Sequence, residues 1–252
     1  MDARLNSLFY KAEHYFFEAI SSRFCSFGSH SAAYGTEIQD PGLNILFIRE
    51  AVPSLEQIIV EGSAFFKTAE ISWYVEIPLH LCSEAWLKEL AKYGFHPTEV
   101  TVAMALPLKM SSDLHQEISE IKPMNNRLDE WAMPLIAFPS TTIAVNKEYK
   151  NRHERALMRN KALFHFSLFE NSEVISSLTL SLNEGLARID DVATKPGFQG
   201  KGYATKLIKY ALHTAAKKGA SFCFLEASQK GLSIYQNMNF RCLFENQTFC
   251  LK

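Results

Sequence analysis

The chain has no long apolar run, no excess of charge of either sign and no closely spaced pair of cysteines, and each absence removes a class of function. No stretch approaches the run of about 18 apolar residues that a membrane-spanning helix needs. Met1-Asp2-Ala3-Arg4 begins no basic patch followed by an apolar core, so neither a span nor a secretion signal is expected. The default expectation is a cytoplasmic protein with no membrane partner. Twenty-six Lys and Arg against 27 Asp and Glu give a net charge of −1, which supplies no whole-molecule attraction to nucleic acid. Five cysteines (Cys25, Cys82, Cys223, Cys242, Cys250) and eight histidines lack the spacings of metal sites, so no metal and no disulfide is expected. Cys223 and Cys250 fall in apolar, strand-like runs and read as buried thiols acting as small hydrophobes. With 252 residues, 47% of them hydrophobic and 21% charged, the chain can bury one large core or two small ones.

Gln199-Gly200-Lys201-Gly202-Tyr203-Ala204 stands between a strand-like run, Ala187 to Thr194, and a helical one, Tyr203 to Lys218. Two residues without a Cβ let backbone N–H groups turn inward on one point, and a helix start adds unpaired donors and the positive end of its dipole. The segment reads as an anion cradle for a phosphate-bearing ligand. A Walker-type loop is excluded, because Gly200-Lys201 is followed by Gly202 and leaves no hydroxyl for magnesium. A dinucleotide fingerprint fits better, with Glu226 as the ribose-binding acid. Lys195 to Gln199, however, lengthen the turn before the first glycine, Thr205 stands where the third would pack, and only 26 residues follow Glu226.

Periodicity places a helix over the first twenty residues, loop over Ser21 to Pro41, strand at Leu43 to Arg49, helix at Leu55 to Lys67, strand at Ser72 to Ile77, helix at Ser83 to Tyr93 and strand at Glu99 to Leu106. The second half repeats the order: strand Ala187 to Thr194, helix Tyr203 to Lys218, strand Ser221 to Ala227, helix Gln229 to Met238 with Ser228 as its N-cap, and strand Gln247 to Leu251. Ser83 stands before a helix ending Tyr93-Gly94-Phe95, and Ser228 before one ending Met238-Asn239-Phe240, at the same spacing. An internal duplication follows. Gly219 and Asn239 suit left-handed positions at helix ends. The loop Glu50 to Pro53 of the first half contains no glycine and offers no cradle. Trp73, Trp86 and Trp131 read as core.

The segment Val192-Ala193-Thr194-Lys195-Pro196-Gly197-Phe198-Gln199-Gly200-Lys201-Gly202-Tyr203-Ala204 resembles the acetyl-CoA-binding segment of the GNAT N-acetyltransferase superfamily. Ser228 to Phe240, with Tyr235 five residues before Phe240, resembles that family's next helix and its Tyr-x-x-x-Gly-Phe ending, here with Asn239 for the glycine. The resemblance covers roughly residues 122 to 252. It implies an α/β (α+β) fold, a mixed and mostly antiparallel sheet flanked by helices, with a second, smaller and degenerate copy of the same topology at the N-terminus. The expected division is 1–110 for that copy, 111–122 for a linker and 123–252 for an acyl-CoA-dependent N-acetyltransferase domain. The first copy is either a wall of the substrate cleft or a packing partner.

The implied reaction moves an acetyl or short acyl group from acetyl-CoA, a co-substrate, to a primary amine on a small molecule or peptide, by direct attack in a ternary complex. The alternative is a catalytically silent acyl-CoA-binding or regulatory module. By the resemblance, Val192, Ala193 and Thr194 belong to a strand that splays from its neighbour so that free amides meet the thioester. Gln199, Gly200, Lys201, Gly202, Tyr203 and Ala204 hold the pyrophosphate, with Ser228 beside the same ligand. Tyr235 matches the family tyrosine that gives a proton to the departing thiolate. A phenol, with a pKa near 10, carries that proton at neutral pH. Asp191 and Glu226 are the candidate bases. Asp190 and Asp191 are adjacent in a strand, so at most one faces the cleft, and Arg188 stands where some relatives carry a glutamate. The run Arg152-His153-Glu154-Arg155, with Arg159 and Lys161, reads as a solvated helix face, or else as an attractant for an acidic substrate or the 3′-phosphate of CoA.

Overall fold

A computed structural model describes residues 3–29, 31–67, 71–109, 119–138 and 141–251. The first half runs α1 (Ala3–Ile20), β1 (Arg23–Ser26), β2 (Ser31–Gly35), β3 (Asn44–Ile48), α2 (Leu55–Lys67), β4 (Tyr74–Pro78), α3 (Glu84–Lys92) and β5 (Phe95–Pro107). The second runs β6 (Ile121–Pro123), α4 (Leu128–Trp131), α5 (Ile143–Met158), β7 (Leu163–Glu170), β8 (Glu173–Asn183), β9 (Leu186–Thr194), α6 (Tyr203–Lys217), β10 (Phe222–Ser228), α7 (Leu232–Gln236) and β11 (Arg241–Leu251). In α1 the buried Phe9, Ala12, Phe16, Ala19 and Ile20 recur at three and four, which gives the helix one apolar face.

Several local expectations need correction. Ser21 to Pro41 is not all loop, since it contains the hairpin β1–β2. All five residues of β2, Ser-Ala-Ala-Tyr-Gly, are buried, so the strand lacks the alternation that would betray it. Ser228 does not cap α7, which begins only at Leu232 after Gly231. It ends β10, and its Oγ accepts a long bond of 3.4 Å from the Gly231 N–H. Cys223 is buried, but Cys250 is only half-buried, and all five cysteines are free thiols. Trp73 and Trp131 are core residues, whereas Trp86 only flanks the N-terminal core.

The strands form one sheet in the order β1-β2-β3-β4-β11-β5-β10-β9-β8-β7-β6. β3 with β4 and β9 with β10 pair in parallel, and the other pairs are antiparallel. The halves share a plan: an antiparallel pair (β2–β3, β8–β9), a crossover helix (α2, α6), a parallel strand (β4, β10), a second helix (α3, α7) and a closing strand (β5, β11). The closing strands are exchanged. β5 lies on β10, from Phe222↔Pro107 to Ser228↔Thr101, and β11 lies on β4, from Asn246↔Pro78 to Cys250↔Tyr74. β5 and β11 then pair with each other at the centre. Each half therefore satisfies an edge of the other, and the backbone hydrogen bonds of the central strands close only when both are folded.

α6 covers one face, where its Leu207, Ile208, Ala211 and Ala215 pack on Leu178, Leu180, Ala187 and Ile189. α1, α4 and α5 cover the other through Phe16, Ala19, Trp131, Tyr149 and Ala156. The repeat in letters has a structural counterpart. Ser83 caps α3 by accepting from the Trp86 N–H, and Gly94 and Asn239, at φ 84° and 66°, hold the left-handed turns before Phe95 and Phe240.

Candidate functional site

The loop between β9 and α6 is held open by three left-handed glycines, Gly197, Gly200 and Gly202, at φ 84°, 75° and 82°. A Cβ at any of them would meet no atom within 4 Å, so the space before the helix is clear. Gly197 was not singled out from the sequence, although it is equally part of the turn. Gly202 is the N-cap of α6 and supplies no side-chain bond. The first backbone bond at this end runs from the Lys206 N–H to the Gly202 carbonyl at 3.0 Å, and no carbonyl among the described residues accepts from the N–H groups of Gln199 through Thr205. Unpaired donors in series at a helix start are what an anion requires. The matching helix of the first half is closed, because the Ser54 Oγ accepts from the Gln57 N–H at the start of α2. The Gln199 Nε2 donates to the Thr194 carbonyl at 3.0 Å, tying the loop to the end of β9. The Lys201 Nζ lies over the Phe198 ring, the Tyr203 hydroxyl donates to Glu170, and Ala204 packs against the core under α6.

β9 and β10 pair at only three positions, Leu186, Ala187 and Arg188 with Phe222, Cys223 and Phe224. Beyond them each strand stays braced on its other side, β9 by β8 as far as Thr194↔Ser176 and β10 by β5 as far as Ser228↔Thr101. The result is a gap between two strands each paired on its far side, with Val192, Ala193 and Thr194 on one side and Leu225 to Ser228 on the other. Its cause is a bulge. Ser177 faces Ala193 and Thr179 faces Asp190, so Leu178 stands opposite both Asp191 and Val192, and Asp191 takes φ 58°. A bulge sharpens twist and bends the strand.

The bulge also breaks the side-chain alternation expected at Asp190 and Asp191. Both carboxylates lie on the α1 and α5 face, Asp190 accepting from the Arg188 Nε at 3.0 Å and Asp191 accepting from the Tyr149 hydroxyl at 2.8 Å. Burial raises Asp191 to about 6, the bond from Tyr149 opposing, and burial raises Asp190 to about 7, with Arg188 opposing. Behind Asp191 runs a chain of rings. The Asn125 Nδ2 donates to the Leu163 carbonyl, which leaves its Oδ1 to accept from His165 Nδ1 at 2.9 Å. His165 Nε2 then accepts from His153 Nδ1 at 2.8 Å. Burial lowers both imidazoles, His165 to about 3. In neutral His153 the remaining lone pair, on Nε2, faces the Asp191 Oδ2 at 3.7 Å, an arrangement that favours a protonated Asp191.

Glu226, two residues past the last position that β10 pairs with β9, accepts from the Thr101 hydroxyl and from the Asn246 Nδ2 at 2.8 Å. Asn246 also donates to Glu76 at 3.0 Å. Carboxylate oxygens of Glu13, Glu76 and Glu226 lie within 4.8 Å of one another, and Glu13 pairs with Arg49. Burial, then the other carboxylates, pushes Glu76 well above the usual range. Glu13, Arg49, Glu76 and Thr101 come from the first half of the chain, and the sequence offered no sign of them. Tyr235 is 9% exposed in the core between α6 and the sheet, and its hydroxyl has no hydrogen-bond partner among the described residues. Burial, with Asp190 and Cys223, raises it to about 12.

The run on α5 is not a solvated face. Arg152 and His153 are buried at 8% and 0% exposure, with His153 against Trp131 and Tyr149, while Arg155 and Arg159 remain exposed.

Residues 127–240 match the Acetyltransferase (GNAT) family. The whole chain is similar in fold to a functionally unknown conserved protein from Staphylococcus epidermidis, with a TM-score of 0.69 and 12% identity over 92% of this chain and 94% of that one. It is also similar to a GCN5-related N-acetyltransferase from Kribbella flavida, with a TM-score of 0.64 and 10% identity over 99% and 95%. A tandem GNAT protein from the clavulanic acid biosynthesis pathway gives 0.56 and 10% over 91% and 83%. No protein in the curated set matches the sequence.

Proposed function

Residues 127–240 are a GNAT-family acetyltransferase domain, and from that premise we propose that the chain moves an acetyl or short acyl group from acetyl-CoA to a primary amine by direct attack in a ternary complex. The observation that carries this reading is the continuity of two features. A gap between braced strands ends at Thr194, and Gln199 fastens that point to a loop whose N–H groups are unpaired. A diphosphate fits the loop, since three positions lack a Cβ and the space before them is clear. Acetyl-CoA supplies an activated acyl thioester. Gln199 to Ala204 receive its pyrophosphate, Val192 to Thr194 offer backbone donors to the acyl carbonyl, and Ser228 lines the facing strand end. Because α2 is capped by its own serine, one acyl-CoA binds per chain, in the second half.

Tyr235 holds its proton throughout the neutral range and gives it to the departing sulfur. Glu226, half-buried and braced by Thr101 and Asn246, takes the proton from the amine. Asp191 acts as a positioning residue, fixing the bulge from which the gap opens. Glu13 and Glu76, packed against Glu226, make the first half a wall of the acceptor side. The test is thiol release from acetyl-CoA across a polyamine, an amino acid, an aminoglycoside and a peptide N-terminus. Release with at least one amine is expected. Thermal stabilisation by CoA without release from any would leave a silent acyl-CoA-binding module, and no stabilisation would refute both.

A further inference from the structure

The C-terminal end of α1, the start of β1 and α5 enclose a cleft of about 380 Å³. It lies on the α1 and α5 face of the sheet, opposite the helix that carries the glycine loop. Its lining includes Arg152, Arg155 and Arg159 with Ser21, Ile20 and Met158. Three guanidinium groups at the C-terminal end of α5 concentrate positive charge here, although Arg159 Nη2 also donates to the Ala19 carbonyl. Glu37 is the one carboxylate in ion-pair reach of any of them among the described residues, 3.7 Å from Arg152.

Two polar atoms of residues that line the cleft are buried and unpartnered. Arg152 keeps its Nε without a hydrogen bond although its side chain is only 9% exposed, and the Ser21 Oγ, in a residue 5% exposed, has no partner. The neighbouring Ser22 hydroxyl, by contrast, is bound to the Gly35 carbonyl at 3.0 Å. Buried donors left unmade are costly, and a charged one more so. A side-chain rotation that turns either atom toward an acceptor in the cleft would satisfy it.

We propose that this cleft is a binding site for a small phosphate monoester, its dianionic head held by Arg152, Arg155, Arg159 and the Ser21 hydroxyl, and its organic body against Ile20 and Met158. Charge favours the dianion. Three guanidinium groups less one carboxylate leave two positive charges, which a monocarboxylate would only half neutralise. Guanidinium forks also match phosphate oxygens in pairs. The site stands apart from the acyl-transfer reading and does not depend on it.

The probe is phenyl phosphate, titrated calorimetrically into the full chain, with benzoate as the monoanionic control. Phenyl phosphate is expected to bind, and benzoate at least about tenfold more weakly. Arg155→Gln removes a guanidinium that has no internal partner among the described residues and lies on the surface, so the fold is retained. It is expected to weaken phenyl phosphate roughly tenfold, as the loss of one charge-assisted bond does, and the pair Arg155→Gln, Arg159→Gln more. The glycine loop is the other place a phosphate could lodge, so the titration is repeated in Gly202→Ala, where binding is expected to persist. Binding lost in Gly202→Ala but kept in the arginine variants, or equal binding of benzoate, would overturn the proposal.

Discussion

Replacing Gly202 by alanine separates two consequences of one methyl group. In the free protein the new Cβ meets nothing within 4 Å, so the fold bears only the strain of an L-residue at φ 82°, on the order of 1–2 kcal/mol. For a chain of this size that lowers the melting temperature by roughly 2–8 °C. A bound diphosphate changes the accounting, because the methyl projects into the space from which backbone donors reach it. Losing one or two charge-assisted bonds, each about 1.5–3 kcal/mol, weakens CoA by roughly ten- to ten-thousandfold. Gly28→Ala is the control. It carries the same strain at φ 79°, also with nothing within 4 Å, far from α6 along the chain. Melting curves with and without CoA, and calorimetric Kd values for both variants, decide the matter. If the two variants lose similar stability and CoA binds both equally, the loop is not a phosphate site.

Tyr235→Phe removes a hydroxyl without a partner among the described residues, so stability should stay within about 0.5 kcal/mol, while kcat falls and its pH profile changes. An unchanged kcat across pH removes the acid role. Asp191, raised to about 6 from the ordinary carboxylate value of 3.8, binds a proton more tightly folded than unfolded. Its contribution is complete below about pH 4 and is lost as pH rises through about 6. Urea denaturation should show stability declining over that window, and Asp191→Asn should flatten the decline by on the order of 3 kcal/mol. A variant as steep as the parent refutes this. A fragment beginning at Ser119 lacks β5 and so leaves the facing edges of β10 and β11 bare. It should aggregate or be digested quickly by protease where the full chain resists, and a soluble, protease-resistant fragment would refute the interdependence of the halves.

Local chemistry was legible in the sequence wherever the deciding interaction spans a few residues. The glycine-opened helix start follows from Gly200 and Gly202 before a helical stripe, and the left-handed turns at Gly219 and Asn239 from residues that tolerate positive φ. The duplication was readable too, because each copy repeats its own local signals in order. What misled were positions where the missing information lay across the sheet. β2 looked like loop because a strand buried on both sides has no alternating pattern. Asp190 and Asp191 were given opposite faces because the rule of two holds only while register is unbroken, and the register there is set by β8. Arg152 and His153 looked solvent-facing because composition alone does not say which side of a helix another will cover.

The sequence alone determined that the second half carries a glycine-opened helix start, since backbone freedom at a glycine is a property of that residue. Tertiary structure alone decided the exchange of β5 and β11, the gap between β9 and β10, and the meeting of Glu13, Glu76 and Glu226. Each depends on strand edges and side chains brought together from distant parts of the chain, which are chosen by the edges left unpaired once each half has formed. The physical difference is one of range. Dihedral preference acts within a turn, whereas pairing, burial and the charges they bring together are settled only by the whole fold.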